Sequence, residues 1–371
     1  MRVRDPFRLV ACLRRTAGHA VLLLAPIVAA LAVAPTDVIA HERWFTPDEE
    51  RYPPHWGDLL SWPVLIALAS AAGAVALLAF VQRLTRDPLW PRPAFAQRLE
   101  PAAAAILGVQ AAITMIFMTT RLNLFVPNIE LPRNAVGVLI AGVAVVAAFS
   151  FITGVLTRVG ALITVGLVVV AFGFGPWYVV LEQLIFVGIA LYLVAVGRGV
   201  VRYGDHGEED RSALTDRLLP HAMTILRVTA GTSILILAFD EKLINVELGL
   251  AFLREHPQFN VAREVGIEWF TDRRFVYAAG IVEAIAGIAL LSGYLTRVVI
   301  LALWIPFNLG IAFLPPQELI GHLPILSTMY VLLVRGTEGI PPPPTAGERS
   351  TEADAPQRPT GSRSRQPVGV G

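Results

Sequence analysis

Nine apolar runs punctuate the chain, at residues 63–81, 102–118, 135–152, 159–174, 177–196, 220–239, 275–292, 298–313 and 321–334. A helix rises about 1.5 Å per residue, so runs of this length match a hydrocarbon core of about 30 Å. Gly and Pro within them do not argue against helices, because lipid forces the backbone to satisfy its own hydrogen bonds. Polar residues crowd into the short segments between runs. The pattern predicts an all-α fold, a polytopic membrane helical bundle.

Both ends of the chain read differently. Residues 1–40 carry Arg2, Arg4, Arg8, Arg14 and Arg15, then a short apolar run over 20–34, a Pro35-Thr36-Asp37 break and Val38-Ile39-Ala40. This is the pattern of a secretory signal peptide cleaved after Ala40, the alternative being a retained anchor. Residues 41–62 mix acids with Trp44, Phe45, Tyr52, Trp56 and Trp62, which suits an external interfacial segment leading into the first span. Residues 340–371 carry four prolines directly after Ile340 and continue in a stretch rich in Ser, Thr, Arg, Gln and Gly, a composition that predicts a disordered tail.

Basic residues fix the expected orientation. Arg83, Arg86, Arg92 and Arg98 follow the first run, and Arg198, Arg202, Arg211 and Arg217 lie in the loop over 198–219. Counting crossings puts both loops, the two Leu-Thr-Arg turns and the tail from Arg335 on the cytoplasmic side. The expected location is the bacterial cytoplasmic membrane, with the mature amino terminus outside.

An internal repeat runs through the pattern. The segment GVLTR, ending at Arg158, returns as GYLTR, ending at Arg297, an offset of 139 that also carries Gly154 onto Gly293 and Gly197 onto Gly336. A shorter offset of 119 carries Ile106-Leu107 onto Ile225-Leu226, so about twenty residues are inserted in the second copy, as an external loop over 246–269. Two parallel four-helix units are expected, over 102–197 and 220–336, related by a pseudo-twofold axis along the membrane normal, with one extra amino-terminal transmembrane helix over 63–81. Glu283 maps onto Ala144, and His322 onto Gln183 with Glu182 beside it, so the first unit is expected to lack the polar set.

Composition adds little to the class and much to the chemistry. At 55% hydrophobic the chain exceeds ordinary soluble usage, and its net charge of +1 gives no reason to expect nucleic acid. The single cysteine, Cys12, falls within the signal segment. Dithiol chemistry, thiolate-held clusters and disulfides are therefore not expected of the mature chain.

Ionisable groups inside spans are expensive, which makes them candidates for function. Glu283 lies near the middle of its run and Arg227 about six residues into another, so the two are expected to approach as a pair, either structural or chemical. His322 opens the last run, on the side where Asp240, Glu241 and Lys242 emerge, and suits proton exchange or simple hydration. Glu283, His322 and Arg227 are the candidate catalytic residues, and Lys242, Asn308 and Trp304 the candidate cofactor contacts. Trp304 has an ordinary alternative as a belt residue. No metal site is expected. The minor alternative is Cu(II) on a mature amino-terminal His41, completed by His55 or His256.

The second unit resembles the DoxX-like family of four-helix membrane proteins over 219–336. The resemblance rests on ILRVTAGTSILILAFDEKL with Arg227, Gly231 and Lys242, on GIVEAIAGIALLSGYLTR with Glu283 and Gly293, and on GHLPIL with His322. It implies a place in quinone-dependent oxidation, since the relative DoxD is similar to a subunit of thiosulfate:quinone oxidoreductase. The cofactor it implies is a quinone, and the partners are lipid, a redox subunit and, left open, a second copy. Two further readings remain: a small-solute or proton-coupled transporter, and a scaffold or assembly factor docking through 246–269.

Overall fold

The computed structural model describes residue 46 and residues 51–91, 96–198, 213–311 and 316–337. The predicted signal peptide with Cys12, His41, most of the 198–219 loop and the predicted tail lie outside the described residues. Helices α1 (Trp62–Thr85), α2 (Ala103–Thr119), α3 (Ala135–Thr153), α4 (Thr157–Ala171), α5 (Trp177–Glu182) and α6 (Leu184–Val196) come first. They are followed by α7 (Ala222–Leu237), α8 (Val246–Glu255), α9 (Asp272–Ser292), α10 (Thr296–Ile311) and α11 (Pro316–Arg335).

Among the described residues six stretches, Trp62–Thr85, Glu100–Thr119, Ala135–Thr153, Trp177–Val196, Ala213–Leu243 and Asp272–Ser292, are long and apolar enough to cross a membrane. In α3 a column of alanines, Ala141, Ala144, Ala147 and Ala148, is buried while Val138, Leu139, Val146 and Phe149 face outward. An apolar exterior around a small-residue interior suits lipid as the solvent. The chain is a multi-pass membrane protein. One departure from the all-α expectation is a short antiparallel hairpin, β1 (Asn123–Leu124) with β2 (Val126–Glu130), after α2.

Close approach is set by glycine where helices cross. A Cβ on Gly287 of α9 would sit 2.8 Å from the Gly231 carbonyl of α7, and one on Gly231 would sit 2.9 Å from the Gly287 carbonyl. Backbone lies on backbone there, as small residues permit in membrane bundles. α2 packs on α3 and α11, while α7 packs on α9 and α6; α1 lies along α9.

Arginines finish the helices at the end of the bundle that carries the Leu-Thr-Arg turns. The last carbonyls of a helix have no partner of their own, and a guanidinium can supply one. Arg158 Nε donates to the Val194 carbonyl at 3.0 Å, and Arg297 Nε to the Leu333 carbonyl at 2.8 Å, pairs that lie 139 residues apart. Arg297 also reaches the Val334, Leu89 and Pro91 carbonyls, which fastens the segment after α1 to α11. Backbone geometry recurs at the same offset: φ is 81° and 77° at Gly154 and Gly293, 52° and 42° at Leu156 and Leu295, and 68° and 78° at Gly197 and Gly336. A leucine in the left-handed region is disfavoured by its Cβ, yet it stands at both turns.

Candidate functional site

Two interrupted helices and one widened helix meet at a cavity. α5 gives way to α6 at Gln183, whose φ of −84° and ψ of 9° leave the helical region. The Ile185 amide thereby loses its place in the ladder and donates to the Ser233 hydroxyl of α7 at 2.9 Å. Pro324 lies inside α11 and has no N–H, which leaves the Ile320 carbonyl unpaired in its own helix; the Thr114 hydroxyl of α2 donates to it at 2.6 Å. Each break is thus repaired by a hydroxyl from the neighbouring bundle helix. The two hydroxyls, Thr114 and Ser233, stand 119 residues apart.

Below Ser233 the helix widens. Residues Ala238–Leu243 form a π turn continuous with α7, which holds Asp240, Glu241 and Lys242 in the interior. Gly280 of α9 makes room for it, since a Cβ there would lie 2.9 Å from the Cβ of Lys242. One turn further along α9, Glu283 brings Oε2 to 3.2 Å from Lys242 Nζ. Glu241 Oε2 lies 3.7 Å from the same ammonium. A shared lysine between two carboxylates is how a low-dielectric interior accommodates charges that it could not hold singly.

The cavity has a volume of about 470 Å³. Its polar lining comprises Glu182, Gln183, Ser233, Lys242, Glu283 and His322. Its apolar wall includes Phe125 of the hairpin and Phe186 of α6, whose ring centroids are 4.6 Å apart. A chamber of this size, mostly apolar with a few converging polar groups, has the character of a small-molecule site.

The sequence-derived candidates separate here. Glu283, His322 and Lys242 line the cavity. Arg227 does not pair with Glu283: its Nη1 donates to the Leu290 carbonyl and, at 2.8 Å, to the Leu291 carbonyl, finishing α9 beneath Gly293. The physical reason is position, because Arg227 lies toward the Leu-Thr-Arg end of α7 while the π turn is at the other. Trp304 is partly exposed on α10 and is not among the lining residues, although its neighbour Leu303 is. Asn308 lies on α10, with its side chain outside the described part. Of the alternative copper ligands, His256 sits against Phe252 and Phe259, and the described residues contain no grouping of three metal-ligating side chains.

The first half contributes more than the sequence reading allowed. Glu182 and Gln183 are buried and line the same cavity as His322 and Glu283. Their signal was a carboxylate within an apolar run, next to the position that maps onto His322. No family model, curated protein or solved structure matches this chain.

Proposed function

We propose that this protein is a quinone-binding subunit or accessory factor of a redox system in the bacterial cytoplasmic membrane, oriented with its mature amino terminus outside. The observation that carries the reading is the cavity, which gathers Lys242, Glu283 and His322 against an apolar and aromatic wall. A quinone-class molecule is an apolar body with a polar ring, and this chamber offers surroundings for both. The resemblance to DoxX-like proteins supports the same reading. His322 and the carboxylates are groups able to accept or deliver protons at the ring oxygens.

The two halves are read as parallel copies of one four-helix unit. Supporting this are the shared φ values at three positions, the matching Arg158 and Arg297 bonds, and the reciprocal repairs by Thr114 and Ser233. The cavity then belongs to both copies, since Gln183 and His322 occupy equivalent places and both line it. A second reading, a carrier, is favoured by one specific observation: interrupted helices border the chamber, as in transporters built from repeats.

Quinone analysis of the natively purified protein tests the first reading. Co-purifying quinone that is lost in Glu283→Gln and His322→Ala, with folding retained, is the expected result. A protein that carries no quinone and does not bind an added short-chain benzoquinone overturns it. Uptake of a solute by reconstituted vesicles, abolished by the same substitutions, would favour the carrier.

A further inference from the structure

We infer that the cavity opens sideways into the hydrocarbon core of the bilayer, through a mouth along α9, and that its ligand is a long-tailed amphiphile entering head first from the lipid. The identity of the head group rests on the quinone-binding reading; the route and the tail are new. The direction of the mouth follows from which walls are closed. Phe125 of the hairpin, Gln183 and Phe186 at the α5–α6 break, Ser233 of α7 and Leu303 of α10 all line the cavity and are buried. The wall supplied by α9 is different. Phe275, Ala278, Ala279 and Glu283 are half-buried, and Val282, at 50%, is the most exposed of the described lining residues. The chamber is accordingly open on one side rather than enclosed.

Depth decides what lies outside that opening. Val282 stands midway along α9, about 15 Å from either end at 1.5 Å per residue. In a hydrocarbon core of about 30 Å this is the middle of the bilayer, where the surroundings are acyl chains and not water. Phe275, Ala278, Ala279 and Val282 follow the spacing of a single helical stripe, so the lip is apolar throughout, and its two alanines keep it wide. Polar groups stand behind it, where Glu283 Oε2 meets Lys242 Nζ at 3.2 Å. A molecule that crosses an apolar lip to reach a polar floor is apolar along its length and polar at its leading end. A volume of about 470 Å³ holds a head group and the start of a tail. A chain long enough to dissolve in the bilayer must therefore leave through the mouth.

The test is fluorescence quenching of the full chain in phosphatidylcholine vesicles, with a bimane label on Val282→Cys or Ala279→Cys in a Cys12→Ser background. Val146→Cys, on the outward face of α3, is the lipid-facing standard. Lipid brominated near the middle of its acyl chains should quench both mouth positions at least half as strongly as the standard, and aqueous iodide should quench neither. Two positions keep the test decisive where one variant fails to fold. Quenching by iodide, or by neither agent, overturns the portal and leaves the quinone-binding reading standing. Next, a fully substituted benzoquinone bearing a decyl tail is compared with tetramethylbenzoquinone, reading the ratio of intensities in brominated and plain lipid. The tailed probe should relieve the quenching by bromine at both positions, and the tail-less probe should not. Equal relief by both overturns the inference, because the tail then does not lie in the mouth. Quenching by brominated lipid that neither quinone alters supports the portal and overturns the quinone as its ligand.

Discussion

Lys242 Nζ stands 3.2 Å from Glu283 Oε2 and 3.7 Å from Glu241 Oε2, one ammonium between two carboxylates. The loss of either partner therefore has unequal consequences. Glu283→Gln leaves Lys242 with Glu241 and keeps the shape of the side chain, so it should cost only about 1–2 kcal/mol. Lys242→Met removes the cation from both acids and should cost about 3 kcal/mol or more. Thermal unfolding in detergent checks the order; a more stable Lys242→Met than Glu283→Gln would show that the lysine is not the hub of the cluster.

Arg227 acts elsewhere. Its guanidinium finishes α9 at Leu290 and Leu291, so Arg227→Gln should lower stability by about 2–3 kcal/mol, the scale of charge-assisted hydrogen bonds to buried carbonyls. It should not rescue Glu283→Gln, because the two residues share no partner, and the double variant should be additive. Melting temperatures of the three proteins decide this. Recovery in the double variant would mean that the two groups interact after all.

The hydroxyl repairs can be removed one at a time. Thr114→Val leaves the Ile320 carbonyl without a donor and Ser233→Ala leaves the Ile185 amide without an acceptor. Each should cost about 1 kcal/mol, the usual scale for interhelical hydrogen bonds in membranes. Restoring the missing backbone donor with Pro324→Ala should make Thr114→Val nearly neutral. A Thr114→Val that is equally damaging in both backgrounds would refute the repair.

Acid should loosen the inserted segment. His256 lies between Phe252 and Phe259, and burial there pulls its pKa below the ordinary 6.5, with Glu255 opposing the shift. A depressed histidine contributes stability that is fully present above the unfolded value and is lost as pH falls through the folded one. Protection against hydrogen exchange over 246–270, corrected for the intrinsic pH dependence of exchange, should therefore fall as pH is lowered beneath the ordinary histidine value. His256→Phe should flatten that dependence; an unchanged profile would assign it to another group.

Periodicity and apolar run length made the helices legible, because lipid leaves the backbone few alternatives. The residues around the cavity were partly legible for the same reason: Glu283, Lys242 and His322 were conspicuous as polar groups at the edge of, or within, apolar runs. Partner choice was not. Depth along a helix put Arg227 and Glu283 within reach of each other, but the π turn at Ala238–Leu243 brings Lys242 to Glu283 instead, and a one-residue widening leaves no mark in composition. Glu182 and Gln183 were set aside because each half was read as a separate unit, whereas the breaks at Gln183 and Pro324 border one chamber. The hairpin after α2 is only seven residues in its strands and lacks the alternation that would announce it.

The arginines that finish α3 and α9 arrive at opposite times during synthesis. Arg198 donates to the Ile152 and Ala105 carbonyls, and it follows Ile152 by 46 residues. Arg227 precedes the carbonyls that it serves by 63 and 64 residues. As the chain emerges from the ribosome, α9 finds its cap waiting, whereas α3 stays unfinished until the last helix of its half has been made. The first half is thus locked by a residue that follows its last helix, and the second closes in the order in which it is translated.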